Sequence, residues 1–271
     1  MKFDSNLAWQ RASAAVAANR EVVLALAGVF FLLPALGLTL LVPPPEPVPG
    51  AGTKAVMAAL NDYYMAALPY LLPMALFQAL GTLALLTLLT DRTRPTVGEA
   101  IRLGVRAIIP YVLAQLLIVI ALGLAGGIAI AAGAATGIAA LAAIGAAVVI
   151  ALAVYVMIRT SLVGPVIAVD GERNPVAAIR RSWLLTQGNA ARIGVFYLLA
   201  GIAFMFVIMV IMLIAGILFA LFGSDQVSKM AEAVVSSGLN AVMVLYFVGI
   251  VAAVHGQLGR PPSSGKSDLP G

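Results

Sequence analysis

The chain has 271 residues, of which 62% are hydrophobic and 10% are charged, and its mean hydropathy is +1.07. Soluble domains contain about 45–50% apolar and about 25% charged residues, so this composition excludes a soluble globular protein. The net charge is +5. Because the basic residues flank long apolar runs, we expect anionic lipid headgroups rather than nucleic acid to face them.

Six apolar runs are long enough to cross the hydrocarbon core of a bilayer, which takes about 20 helical residues. We therefore predict an all-α integral membrane protein with one domain over residues 1–258 and a disordered Gly/Pro/Ser tail at 259–271. Gly123 and Gly127 have the spacing of a small-xxx-small helix contact. The predicted transmembrane helices are 22–41, 63–89, 108–131, 138–158, 193–222 and 234–254.

Amphipathic segments at 5–18, 95–106 and 174–188 predict helices that lie on the membrane surface. In the first segment Ser5 is a possible N-cap, and Trp9, Ala12 and Val16 share one side. Each segment precedes two predicted spans. The sequence therefore predicts three repeats, each made of a surface helix followed by a transmembrane hairpin in the same orientation.

The third amphipathic segment has the clearest helix boundaries. Asn174 followed by Pro175 predicts an N-cap and a first helical residue, and Gly188 predicts a left-handed stop. Helical spacing predicts that Val176, Ile179, Trp183 and Thr186 lie along one side of this surface helix.

The distribution of basic residues predicts the orientation. If both termini and the loops at 91–107 and 159–192 face the cytoplasm, that side holds all of the 16 Lys and Arg residues except Lys54 and Lys229. Cytoplasmic loops of membrane proteins carry such an excess. We therefore expect a multi-pass protein of the bacterial inner membrane with cytoplasmic N- and C-termini.

Residues 178–188 read AIRRSWLLTQG and follow an apolar Pro-containing stretch and Asp170-Gly171-Glu172. This segment resembles a cytoplasmic segment of the YciC-like bacterial inner-membrane proteins, a family related to the membrane domain of glycerophosphoryl diester phosphodiesterases. The resemblance implies a location and a six-span fold, and it brings no catalytic residue to this chain. In fused family members the diesterase chemistry belongs to a separate soluble domain.

A group of basic and aromatic residues around this segment predicts contact with lipid headgroups or a partner protein. Guanidinium groups bind phosphate through two hydrogen bonds, and tryptophan anchors at membrane interfaces. The alternative is that the arginines serve only as topology charge. The candidate contact residues are Arg159, Arg173, Arg180, Arg181, Trp183 and Arg192.

A second group of residues places polar side chains inside the predicted spans: Gln78, Thr82, Gln115 and Asn240. These side chains either line a path for a substrate or form hydrogen bonds between helices, which is their commoner use. No formal charge lies deep in a predicted span. This pattern argues against an ion-coupled pump, where intramembrane carboxylates mark the route.

Metal and catalytic sites are not predicted. His255, the one histidine, is expected to be a solvated interface residue. Asp170 and Glu172 favour a turn over a divalent-cation site. Without cysteine, and with one histidine, the chain offers no evident catalytic set. We expect a non-enzymatic protein of envelope or lipid homeostasis that acts as a scaffold or accessory subunit without a cofactor; the alternative is a small-molecule or lipid transporter.

Overall fold

A computed structural model describes residues 2–45, 50, 52–90, 95–222 and 224–259. Within these ranges the chain forms helices and no strand, and six helical stretches are long and apolar enough to cross a membrane. The prediction of an all-helical protein with six membrane-length helices is confirmed. The predicted disordered tail lies, from residue 260 onward, outside the described residues.

The helices occur in this order: α1 Ser5–Ala18, α2 Arg20–Ala27, a π-helical turn Gly28–Leu32, α3 Leu33–Leu41, α4 Thr53–Thr90, α5 Val97–Ala135, α6 Ala139–Thr160, α7 Val163–Ala168, α8 Pro175–Leu185, α9 Ala190–Phe222 and α10 Asp225–Leu258. The first membrane-length stretch, Arg20–Leu41, combines α2, the π-helical turn and α3. Pro34 lies just after the π-helical turn, and it has no backbone amide hydrogen to donate to that turn.

Three expected boundaries are wrong. The surface helix predicted at 95–106 is not separate, because α5 runs without a break from Val97 into the predicted span. The last predicted span was expected to begin at 234, but its helix, α10, begins at Asp225. The N-cap of α1 is Asp4, not Ser5, and its side chain accepts a hydrogen bond from the Leu7 amide at 3.0 Å.

The three amphipathic segments therefore have different structures. The first is the separate helix α1, the second is the amino-terminal part of α5, and the third is α8. The short helix α7 precedes only the third, and five of its six residues, from Val163 to Ile167, are buried. The predicted repeat is not seen as three equivalent units in the described residues.

Close helix packing occurs at glycines other than those that the spacing indicated. A Cβ at Gly81 of α4 would collide with the Phe30 side chain, and one at Gly249 of α10 would meet Val16 of α1 at 3.4 Å. At Gly123 and Gly127 a Cβ would meet nothing within 4 Å. These two residues lie on an open surface, so their small-xxx-small spacing marks no close helix contact within this chain.

The accessible surface is 16435 Å², whereas a soluble monomer of this 27.9 kDa mass would expose about 11,000 Å². Large apolar side chains contribute much of this additional accessible surface. This is clearest on α9, where 0% of the residues in the most apolar window are buried. Such a surface is stable only against lipid or another apolar surface. The buried core lies instead where α1, α2, α4, α7 and α10 meet.

Candidate functional site

Helix α8 begins at Pro175, as the sequence predicts, but ends at Leu185, three residues before the predicted stop at Gly188. The Asn174 side chain accepts hydrogen bonds from the amides of Val176 at 2.9 Å and Ala177 at 3.2 Å, and Pro175 is the first helical residue. Gly188 adopts φ +76° just after the helix, a conformation that favours glycine. These local signals fix the length of α8 and therefore which of its side chains face the bundle.

The buried side of α8 consists of small residues. Ala178, Ser182 and Thr186 are fully buried against the ends of α6 and α7, whereas Val176 is 62% exposed. Val176 and Thr186 therefore do not share one side of the helix as the spacing predicted. The Ser182 hydroxyl donates to the Arg159 carbonyl at 2.8 Å and accepts from the Leu162 amide at 3.2 Å. Small side chains at these positions let α8 approach the backbone of the preceding turn.

Arg159 lies beneath α8 instead of facing the lipid headgroups as predicted. Its side chain is 5% exposed, and its guanidinium carbon lies 4.6 Å from the ring centre of Trp183 and 5.9 Å from that of Tyr155. Aromatic faces attract a guanidinium group, and the attraction grows when water is excluded. Arg159 Nε is buried without a hydrogen-bond partner. Trp183 and Arg159 thus hold α8 onto α6.

A charged cluster joins α8 to the carboxyl end of α10. Asp170 Oδ2 lies 3.0 Å from Arg181 Nη2 and 3.2 Å from His255 Nε2. Burial raises the pKa of Asp170, but the hydrogen bond from His255 and the charges of His255 and Arg181 outweigh it and lower the pKa below its usual value. His255 is 5% exposed, so its prediction as a solvated residue is wrong.

Arg173 also has an intramolecular role. Its Nη1 donates to the Arg106 carbonyl at 3.0 Å. In a helix that carbonyl would accept from residue 110, but Pro110 has no amide hydrogen. Arg173 therefore supplies the donor that Pro110 lacks.

Glu172 accepts from the Asn174 amide at 2.9 Å, which ties it into the turn before α8. With Asp170 occupied by Arg181 and His255, the two carboxylates serve structural contacts, as the turn interpretation predicts. Within the described ranges no group of three or more potential metal ligands occurs.

Two of the predicted contact residues, Arg180 on α8 and Arg192 on α9, remain available at the surface. Both are exposed, and neither forms a hydrogen bond or an ion pair with another described residue. The other three arginines bind atoms of this chain. The structure therefore reduces the predicted arginine cluster to a pair that flanks the turn containing Gly188.

Three of the four predicted intramembrane polar residues line one cavity. Gln78, Thr82 and Gln115 border a space of about 370 Å³ between α4, α5 and α10. Asn240 does not line it. Tyr111, which the sequence analysis did not single out, also lines the cavity and lies within hydrogen-bonding range of Gln115. Its spacing of four residues from Gln115 on α5 was the available signal.

A second cavity of about 710 Å³ adjoins the first. Both are lined by Thr82, Tyr111, Gln115 and Val244. The larger one extends from there towards Ser161, at the end of α6, and its wall is mostly apolar.

Comparison with known proteins identifies no relative. The chain matches no protein-family model, no curated protein and no solved structure. The resemblance to the YciC-like proteins therefore stays a prediction based on residues 178–188.

Proposed function

We propose that this is a non-enzymatic, multi-pass protein of the bacterial inner membrane that serves envelope or lipid homeostasis as a scaffold or accessory subunit. In this proposal both termini face the cytoplasm, and the exposed surface around α8 contacts anionic lipid or a protein partner. The proposal rests on the YciC-like segment, on the positive-inside bias and on six membrane-length helices.

The observation that carries the lipid contact is the pair Arg180 and Arg192. Both are exposed and have no partner among the described residues, while Trp183 lies between them in sequence. An exposed, unpaired guanidinium suits a phosphate group, which it can bind through two hydrogen bonds. Each basic residue near an anionic surface contributes about 1 kcal/mol, so the pair should contribute about 2 kcal/mol, or about thirtyfold in affinity.

The test is native mass spectrometry of the protein carrying Arg180→Ala and Arg192→Ala after reconstitution in mixed phosphatidylglycerol and phosphatidylcholine. Arg181 is left intact because it pairs with Asp170. We expect the variant to retain much less phosphatidylglycerol than the unmodified chain.

The matched control carries Arg20→Ala and Arg102→Ala, which removes the same charge from two other exposed positions. The control should retain phosphatidylglycerol normally. Equal loss in both variants would mean that the arginines act only as topology charge. Unchanged retention in the Arg180/Arg192 variant would refute the lipid contact.

The second candidate function is a small-molecule or lipid transporter with a path between the helical hairpins. It is favoured by the cavity that Gln78, Thr82 and Gln115 line. Asn240 lines neither cavity, so the cavities include three of the four residues of the predicted path. The test is uptake of a small molecule or lipid into proteoliposomes. Uptake that is lost with Gln78→Leu and Gln115→Leu, and kept with Asn240→Leu, would support this function.

A further inference from the structure

The two adjoining cavities lie at membrane depth. Gln78 is twelve residues, about 18 Å, from the carboxyl end of α4 at Thr90, and Gln115 is nine residues, about 13 Å, beyond Arg106 on α5. A bilayer core is about 30 Å thick. Molecules that reach these side chains from between the helices therefore come from the lipid phase.

The cavity walls carry no formal charge. Among the described residues that line either cavity there is no Asp, Glu, Lys or Arg. A charged headgroup at this depth would lose its hydration without gaining a counter-charge, which is strongly unfavourable. The lining therefore selects against phospholipids that would have to place their phosphate inside.

The smaller cavity nevertheless offers hydrogen bonds. The Thr82 hydroxyl is occupied by the Gln78 backbone carbonyl at 2.9 Å. The Gln78 side-chain amide has no hydrogen-bond partner among the described residues. An unsatisfied amide in hydrocarbon costs several kcal/mol, because neither lipid tails nor apolar side chains can replace water. An occupant with a carbonyl or hydroxyl oxygen would satisfy it.

The larger cavity supplies space for an apolar chain. Its volume of about 710 Å³ lies within the range of about 300–1,000 Å³ that is usual for ligand pockets, which are mostly apolar and have few polar groups. Tyr197 at its wall already donates its hydroxyl hydrogen to Ser161 at 3.3 Å. The unused hydrogen-bonding groups thus lie at the Gln78 end of the two joined cavities, and the larger cavity provides the apolar space.

We propose that the two cavities together bind one uncharged single-chain lipid. Its hydroxyl or carbonyl oxygens lie against Gln78, Gln115 and Tyr111, and its chain occupies the larger cavity. This site deepens the second candidate function by assigning it a ligand class. It does not involve Arg180 or Arg192, so it is independent of the surface contact.

The test uses two photoactivatable probes with the same acyl chain, a monoacylglycerol and a lysophosphatidylglycerol, which differ in the charged phosphate. Each is added to proteoliposomes of the full chain, and crosslinked peptides are mapped by mass spectrometry. We expect saturable labelling of cavity peptides by the monoacylglycerol, competed by unlabelled monoacylglycerol.

Three variants locate the site. Gln78→Leu with Gln115→Leu keeps the cavity but removes two hydrogen-bonding groups, and should lower labelling about tenfold. Val244→Phe, at a position that lines both cavities, should block labelling by filling the space. Asn240→Leu removes an intramembrane amide outside the lining and should leave labelling unchanged. The midpoint of thermal unfolding, measured for each variant, separates loss of the site from loss of the fold.

Labelling that is not saturable, or that is equal in folded Gln78/Gln115 and unmodified chains, would overturn the proposal. So would equal cavity labelling by the charged probe. Because the readout is binding, specific labelling without uptake would support the site and count against transport alone.

Discussion

The hydroxyl of Ser182 offers the sharpest test of how α8 is attached to the bundle. The side chain is 0% exposed and bridges the Arg159 carbonyl and the Leu162 amide. Ser182→Ala removes both bonds with almost no change in volume. The Arg159 carbonyl keeps the Thr186 hydroxyl at 3.5 Å, but the Leu162 amide loses the Ser182 acceptor.

A buried donor without an acceptor costs about 1–3 kcal/mol. We therefore expect Ser182→Ala to lower the free energy of unfolding by about 2 kcal/mol, which is about thirtyfold in the unfolding equilibrium constant. The assay is equilibrium unfolding in mixed micelles of dodecylmaltoside and SDS, followed by tryptophan fluorescence. Trp183 reports on α8 directly because it stacks on Arg159.

The control is the same substitution at Ser13 of α1, whose hydroxyl bonds only to carbonyls of its own helix at 2.9 and 3.2 Å. Alanine is the better helix former, so Ser13→Ala should be neutral or stabilise by up to about 0.5 kcal/mol. Equal unfolding free energies for the two variants would refute the bridging role of Ser182.

Two further predictions follow from the packing and the charges. The lowered pKa of Asp170 means that its stabilising contribution is complete above its usual value of 3.8 and is lost as the pH falls below it. The unfolding free energy, measured in micelles at decreasing pH, should therefore fall there, and Asp170→Asn should flatten this part of the profile. An unchanged profile would mean that the contacts of Asp170 with His255 and Arg181 add no stability. Gly81→Ala should lower the free energy of unfolding by about 1–3 kcal/mol because the added methyl group meets Phe30. Gly123→Ala adds a methyl group with nothing within 4 Å and should raise it by about 0.5–1 kcal/mol. Equal unfolding midpoints for the two glycine variants would contradict the packing described.

The sequence predicts local features well. The start of α8 depends on the Asn174 side chain, and Gly188 takes the expected left-handed backbone conformation shortly after the helix, so both features are readable without tertiary information. The six apolar runs are equally local. The break expected after residue 106 was wrong because α5 continues through both Gly104 and Pro110.

The contacts of the charged residues were much harder to predict. His255 and Asp170 are 85 residues apart, and nothing near either one indicates their pairing. Composition also says that arginines beside apolar runs face headgroups, whereas Arg159 is covered by Trp183. One signal was available for Arg173, because Pro110 leaves a helix carbonyl without a donor. The intramembrane polar residues were found by composition, but only the packing separates Gln78 from Asn240.

The hydrogen bonds at the amino terminus constrain how the chain is assembled. The Asp4 amide donates to the Gln257 side chain at 3.2 Å, and Gln257 donates back to the Asp4 carbonyl at 3.1 Å, across 253 residues. At about 5–20 residues per second, ribosomal synthesis separates these two residues by about 13 to 50 s. During that interval α1 has none of its contacts with α10. Docking of α1 in its observed position therefore has to follow the synthesis of α10, and α1 lacks this part of its packing while the intervening helices are made.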